Sequence, residues 1–174
     1  NIKILLGEIV AAGDMTGKQR NKLLAEMTDA VGALVLGNNY KQTQALSLAE
    51  RRARERLAEY KRLMAALEAA GKLDRALEFL PSDDELNERA ANGRGLTRPE
   101  LSVLISYSKI DLKEALLKSL VPDDDYLARE METAFPAQLT KKFGEAMRRH
   151  RLKREIVSTQ IANDLVNHLS LIHI

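Results

Sequence analysis

Thr97 is followed three residues later by Glu100, with Pro99 between them and Gly93 and Gly95 just before, and this short stretch dictates the start of a helix. A Thr at the N-cap and a Glu at N3 satisfy each other's backbone donors, and Pro in the first turn gives up only an N–H that has no acceptor there. The two glycines free the approaching chain. The same spacing recurs at Thr16 with Gln19 and at Ser82 with Glu85. All four prolines fall at boundaries between apolar-periodic segments, and no strand-like alternation with hairpin turns occurs anywhere. The class is therefore all-α.

Periodicity places the helices. Ile2, Leu5, Leu6, Ile9 and Val10 share one helical face, ended by Gly13 and Asp14. The Thr16 box opens a second helix carrying Leu23, Leu24, Met27, Val31, Leu34 and Val35, with Gly37-Asn38-Asn39 as its stop. Gly17 and Gly32 lie inside it, each costing about 1 kcal/mol relative to Ala. That cost makes residues 13–37 a region expected to depend on a further domain for order. From Tyr40 to Ala70 nothing interrupts a pattern of Leu46, Ala49, Ala53, Leu57, Tyr60, Met64 and Leu67, which predicts one helix of about 30 residues, about 45 Å long. Its other face, from Glu50 to Arg62, is densely charged; such exposed pairs contribute only a few tenths of a kcal/mol each.

Gly71 ends that helix, a short one is predicted over 73–80, and Ser82 opens a polar helix that stops at Asn92-Gly93. The helix after Thr97, over 98–120, carries two apolar stripes: Leu101, Leu104, Ile105, Leu112, Ala115, Leu116 and Leu120 on one side, Val103, Tyr107, Ile110 and Leu117 on the other. A helix apolar on two faces is covered from both sides, so the expected architecture is about seven to eight helices around this two-faced one. A short helix with Tyr126, Leu127 and Met131 follows, then one after Phe135-Pro136, then one from about Leu152 with Ile156, Val157, Ile161, Leu165 and Val166. No solenoid-period repeat is present. Residues 169–174, Leu-Ser-Leu-Ile-His-Ile, look like the translation of a sequencing-library adapter and are expected to be an assembly scar.

Composition excludes several function classes. There is no cysteine, hence no disulfide, thiolate metal site or cysteine nucleophile, which suits a reducing compartment; the expected location is the cytoplasm. No uncharged run approaches the roughly 20 apolar residues that a bilayer requires. Basic and acidic residues number 27 and 25, and three Phe, four Tyr and no Trp supply few stacking platforms, which disfavours nucleic acid as a partner. The chain begins at Asn1 rather than Met and reads as a piece of something longer.

Three clusters invite a chemical reading. Asp123-Asp124-Asp125 offers hard oxygen ligands, but a calcium loop needs acids at alternate positions, a glycine and a distal Glu; acids in a first turn complement the helix dipole instead. The tract Arg148-Arg149-His150-Arg151-Leu152-Lys153-Arg154 could contact phosphates, yet it sits at a helix junction where basic residues favour the preceding C-terminus. His150 has no Ser, Cys or acidic neighbour in sequence and is a weak catalytic candidate. Gly93-Arg94-Gly95 lacks the preceding strand and third glycine of a dinucleotide fingerprint. No residue is assigned a catalytic, cofactor-binding or metal-ligating role.

Several blocks, in order, resemble the large bacterial NAD-specific glutamate dehydrogenases: residues 1–8, 14–16 with 20–24, 45–49, 74–82, the Gly93 block with the following 101–110, 126–130 and 149–155. The likeness covers essentially residues 1–168. It implies a parent enzyme that deaminates L-glutamate oxidatively to 2-oxoglutarate and ammonium with NAD as hydride acceptor. The family's catalytic Lys and Asp, and its glycine-rich NAD loop, would lie upstream of Asn1. It further implies that residues 1–12 close the catalytic domain and residues 13–168 form a non-catalytic C-terminal helical domain, inactive alone. That domain would buttress the cofactor domain or join subunits of a homo-oligomer. The rival reading is a free-standing helical interaction module that binds nucleic acid through Arg148–Arg154.

Overall fold

The computed structural model describes residues 1–169, and every regular element among them is helical. The α-helices are α1 (Ile2–Ala11), α2 (Gly17–Glu26), α3 (Thr28–Arg51), α4 (Leu57–Ala69), α5 (Asp83–Ala91), α6 (Arg98–Lys118), α7 (Glu130–Thr133), α8 (Ala137–Arg148) and α9 (Lys153–Leu169), with 3-10 turns at Val121–Asp123 and Leu127–Arg129. The all-α expectation holds. The expected tail lies outside the described residues except for Leu169, which ends α9.

Two compact units divide the chain. The first comprises residues 1–40 and 113–161, and its buried side chains include Leu5, Leu6, Ile9, Met27, Met131, Phe135, Leu139, Met147, Ile156 and Val157. The second comprises residues 41–112 with the chain after 161, and it holds one continuous core of Ala49, Ala53, Leu57, Tyr60, Met64, Leu67, Leu73, Leu80, Leu86, Leu96, Leu101, Leu104, Ile105 and Val166. Fully burying one such leucine contributes about 1.5–3 kcal/mol. Helices α3, α6 and α9 give residues to each unit.

The structure has nine α-helices among the described residues, not seven to eight, and the main departures lie in residues 26–80. Gly37-Asn38-Asn39 does not stop a helix; α3 runs through it. A glycine ends a helix when its backbone turns left-handed, as Gly13, Gly71 and Gly93 do at φ 83, 67 and 64, whereas Gly37 stays helical. The single helix expected over 40–70 is interrupted at residues 52–56, without Gly or Pro. There the hydrogen bonds tighten to i−3, from Arg52 N to Ala49 O (3.2 Å) and from Ala53 N to Glu50 O (3.1 Å).

The helix expected over 73–80 is instead a turn. Asp74 Oδ1 accepts from the Ala76 and Leu77 amides at 3.0 and 3.1 Å, and Phe79 takes φ 53, returning the Leu80 N–H to Arg75 O at 2.9 Å. Pro81 then cannot continue a helix. Helix α6 ends at Lys118 rather than 120. On its first stripe Leu101, Leu104, Ile105 and Leu116 are buried but Leu120 is exposed; on its second, Val103, Tyr107 and Leu117 are half-buried and Ile110 is exposed.

Candidate functional site

The segment that launches α6 is held by a helix cap, a close backbone approach and ion pairs. Helix α5 closes with the Arg94 N–H on Arg89 O (2.7 Å) and the Gly93 N–H on Ala90 O (3.0 Å), a Schellman cap that needs the left-handed Gly93. Gly95 then passes the break between α3 and α4 so closely that a Cβ there would stand 2.5 Å from the Ala53 carbonyl carbon. Leu96 drops into the core. Arg98 Nη1 reaches back to Ser47 Oγ (3.1 Å) and Glu50 Oε2 (2.7 Å).

Glu100 does more than cap its own helix. Its Oε2 accepts from the Thr97 backbone N–H at 2.7 Å, while Arg89 Nη1 and Nη2 donate to Oε2 and Oε1 at 2.7 and 2.9 Å, a two-pronged pair from α5. Burial pushes the Glu100 carboxyl up, but the Arg89 guanidinium and the Thr97 amide and hydroxyl outweigh it and hold the carboxyl below the ordinary glutamate value.

This loop does not fit a dinucleotide phosphate. Gly93 is committed to capping α5, and a Cβ on Gly95 would run into residues 53–54, so both glycines have a structural use. No strand precedes them among the described residues.

The basic tract divides in two. Arg148, Arg149 and Arg151 are exposed. Arg154 turns inward: its Nη2 donates to the carbonyls of Leu117 (2.9 Å) and Ser119 (3.0 Å) at the end of α6, and its Nη1 pairs with Asp123. The guanidinium thus satisfies carbonyls that the helix end leaves open. Asp124 Oδ1 accepts from the Tyr126 and Leu127 amides, each at 3.0 Å, so two of the three consecutive acids have structural partners. Among the described residues no group of three or more acidic or histidine side chains is placed to hold a metal ion.

His150 is buried. Its Nδ1 accepts from the Leu152 backbone N–H at 3.0 Å, which leaves Nε2 as the protonated nitrogen, 3.2 Å from the Asn1 carbonyl it donates to. Phe135 meets the ring edge-on, with centroids 6.1 Å apart. Both ring nitrogens are engaged in holding α1 and the α8–α9 junction.

Sequence reasoning gave no notice of a cavity of about 370 Å³ in the second unit, lined by Glu59, Tyr60, Leu63, Leu67, Lys72, Ser108 and Asp111 among others. The Tyr60 hydroxyl and Ser108 Oγ border it, both buried and without a hydrogen-bond partner, and Lys72 pairs with Asp111. Burial raises the Tyr60 hydroxyl above its ordinary pKa. The one available signal was a Tyr and a Ser at core positions of α4 and α6, where an apolar residue packs more cheaply. No helix among the described residues is long and apolar enough to cross a membrane.

Comparison with known proteins places the chain in a family. Residues 1–49 match the family model described as the bacterial NAD-glutamate dehydrogenase catalytic domain, and residues 93–172 match that of the glutamate dehydrogenase C-terminal region. The chain is 83% identical over 171 residues, 98% of its length, to the NAD-specific glutamate dehydrogenase of Pseudomonas aeruginosa. It is 55% identical over its whole length to that of Halomonas elongata, and 39% identical over 96% of its length to that of Mycobacterium tuberculosis. It spans only 10–11% of the length of these relatives. Matches to both models, with relatives 39–83% identical over 96–100% of its length, mean that the chain belongs to the large bacterial NAD-specific glutamate dehydrogenases, as a segment of a much longer protein.

Proposed function

We propose that the protein containing this segment oxidises L-glutamate to 2-oxoglutarate and ammonium, with NAD accepting the hydride and water supplying the oxygen. The observation that carries this reading is the 83% identity to a protein of that name across 98% of the chain. Residues 13–168 act as a helical domain without reacting groups, whose role is to brace the catalytic part or to join subunits of a homo-oligomer; residues 1–12 close the catalytic part. The cytoplasm is the proposed location, and NAD is held by residues upstream of Asn1.

The internal use of Gly93, Gly95, His150 and Arg154 supports this division of labour, since each of these four has a structural role. Arg154, bound within its own unit, is also withdrawn from the rival nucleic-acid reading, which is left with three exposed arginines.

The test is NADH formation from L-glutamate by the full-length protein, beside a version cut before residue 93, with the mass of each species in solution. The intact protein is expected to reduce NAD, and the shortened one to lose activity, assembly or both. An intact protein that folds but leaves NAD unreduced overturns the activity; a shortened one unchanged in rate and mass overturns the bracing role.

A further inference from the structure

Helix α3 is apolar on two sides, and the structure covers only one of them. Met27, just before it, is buried, and Ala30, Val31 and Leu34 are half-buried. On the opposite side Val35, Leu36 and Tyr40, spaced i, i+1 and i+5, are 53, 70 and 65% exposed. Gly32 lies one turn before Leu36 on the same strip, and a Cβ built there meets nothing within 4 Å. A mid-helix glycine costs about 1 kcal/mol relative to Ala, and nothing in the described structure requires it. An apolar strip with a glycine notch is what a helix presents when another element approaches its backbone closely.

We propose that this strip, Gly32, Val35, Leu36 and Tyr40, is the seat of the preceding part of the catalytic domain of the same polypeptide. Three observations select that occupant over a second copy of the chain. The strip lies inside residues 1–49, the range that matches the catalytic-domain model. The C-terminal model follows it in the chain, so the remainder of the catalytic domain precedes it. The relatives are about nine times longer than this chain, which provides ample protein to cover the strip. The proposal rests on the bracing role proposed above for residues 13–168, and it adds which side chains of that region the catalytic part packs on.

The test places the photo-crosslinker p-benzoylphenylalanine at position 40 of the full-length protein, and at position 36 in a second variant. Both sites are open to solvent in this segment, so neither replacement disturbs its own core. Irradiation is expected to join either position to a peptide upstream of Asn1 within one polypeptide, leaving the denatured protein at monomer mass. A product of twice that mass would mean that a second copy occupies the strip. A crosslink only to residues 50–174, or no crosslink at either position, would mean that the catalytic part does not; each of these three results overturns the proposal. Glutamate oxidation assayed on the same samples keeps the two readings apart. An upstream crosslink in a protein that does not reduce NAD leaves the surface standing without the activity, and an active protein with no upstream crosslink does the reverse.

Discussion

Gly95 and Ala53 meet backbone to backbone: a Cβ on Gly95 would lie 2.5 Å from the Ala53 carbonyl carbon, 2.6 Å from the Arg54 nitrogen and 2.8 Å from the Ala53 Cβ. The obstacle is main chain, which cannot swing aside as a side-chain tip can. Gly95→Ala is therefore expected to destabilise the second unit by about 1–3 kcal/mol, the range for overpacking a tight core. Hydrogen exchange in the full-length protein should report it, with faster exchange at Leu96–Leu104 and in the last turn of α3. Gly17→Ala, where the added Cβ meets open space, should leave exchange unchanged or slower. Equal behaviour of the two variants would contradict the close approach.

Glu100 confers an acid sensitivity. Its folded pKa lies below the ordinary 4.5, so over the interval between those values the unfolded chain binds more protons than the folded one. The stabilisation is complete above the ordinary value and is lost as pH falls through the folded one. Glu100→Gln should cost about 1.5–3 kcal/mol at neutral pH, the range for hydrogen bonds to a charged group, and should flatten this part of the acid profile. Arg89→Lys should also weaken the site, because an ammonium cannot replace the two-pronged contact. The start of α6, followed by exchange between pH 3 and 7, is the place to read both; a profile of Glu100→Gln parallel to the parent's would count against the pair.

Removing the arginines of the basic tract should produce unequal effects. Arg154→Ala takes two donors from carbonyls at the end of α6 and the partner from Asp123, and about 1.5–3 kcal/mol of local stability should be lost. Arg148→Ala and Arg149→Ala, on exposed side chains, should stay within about 0.5 kcal/mol of the parent. Exchange rates at Leu116–Leu120 distinguish them. Losses of similar size at all three positions would mean that the tract works as a unit.

Tyr60 tests the cavity. Its hydroxyl is fully buried without a partner, so Tyr60→Phe should be neutral or stabilising by up to about 1 kcal/mol, whereas Tyr60→Ala should cost about 3–5 kcal/mol as a large-to-small change. Unfolding midpoints of the second unit, followed by exchange in denaturant, give both numbers. A loss of more than 1 kcal/mol for Tyr60→Phe would point to a bound molecule that the hydroxyl holds.

What could be read from sequence is what short-range chemistry decides. The capping boxes at Thr16 and Ser82 form as spaced, with Gln19 and Glu85 reaching back to the cap residue, and the Thr97 N–H finds Glu100. The break after Arg51 could not be read, because it is imposed from forty residues away. Gly95 presses on Ala53, and Arg98 holds Ser47 and Glu50, while the local sequence favours an unbroken helix. Gly37 misled for the complementary reason: only its backbone angle distinguishes it from Gly71, and composition does not specify angles. At the candidate site, the capping use of the acidic run was legible from its place ahead of a helical turn. The inward turn of Arg154 was not, since its acceptors lie on another helix.

The position of Ala49 bears on how this protein can be taken apart. It is the last residue of the stretch that matches the catalytic domain, and it is also a buried member of the second unit's core, with Leu46 packed beside it. A hybrid enzyme joined at residue 49 would therefore import two side chains of one parent into a core built by the other. A seam at Gly13–Met15, in the turn between α1 and α2, would keep α3 whole and carry that core across as a single inheritance.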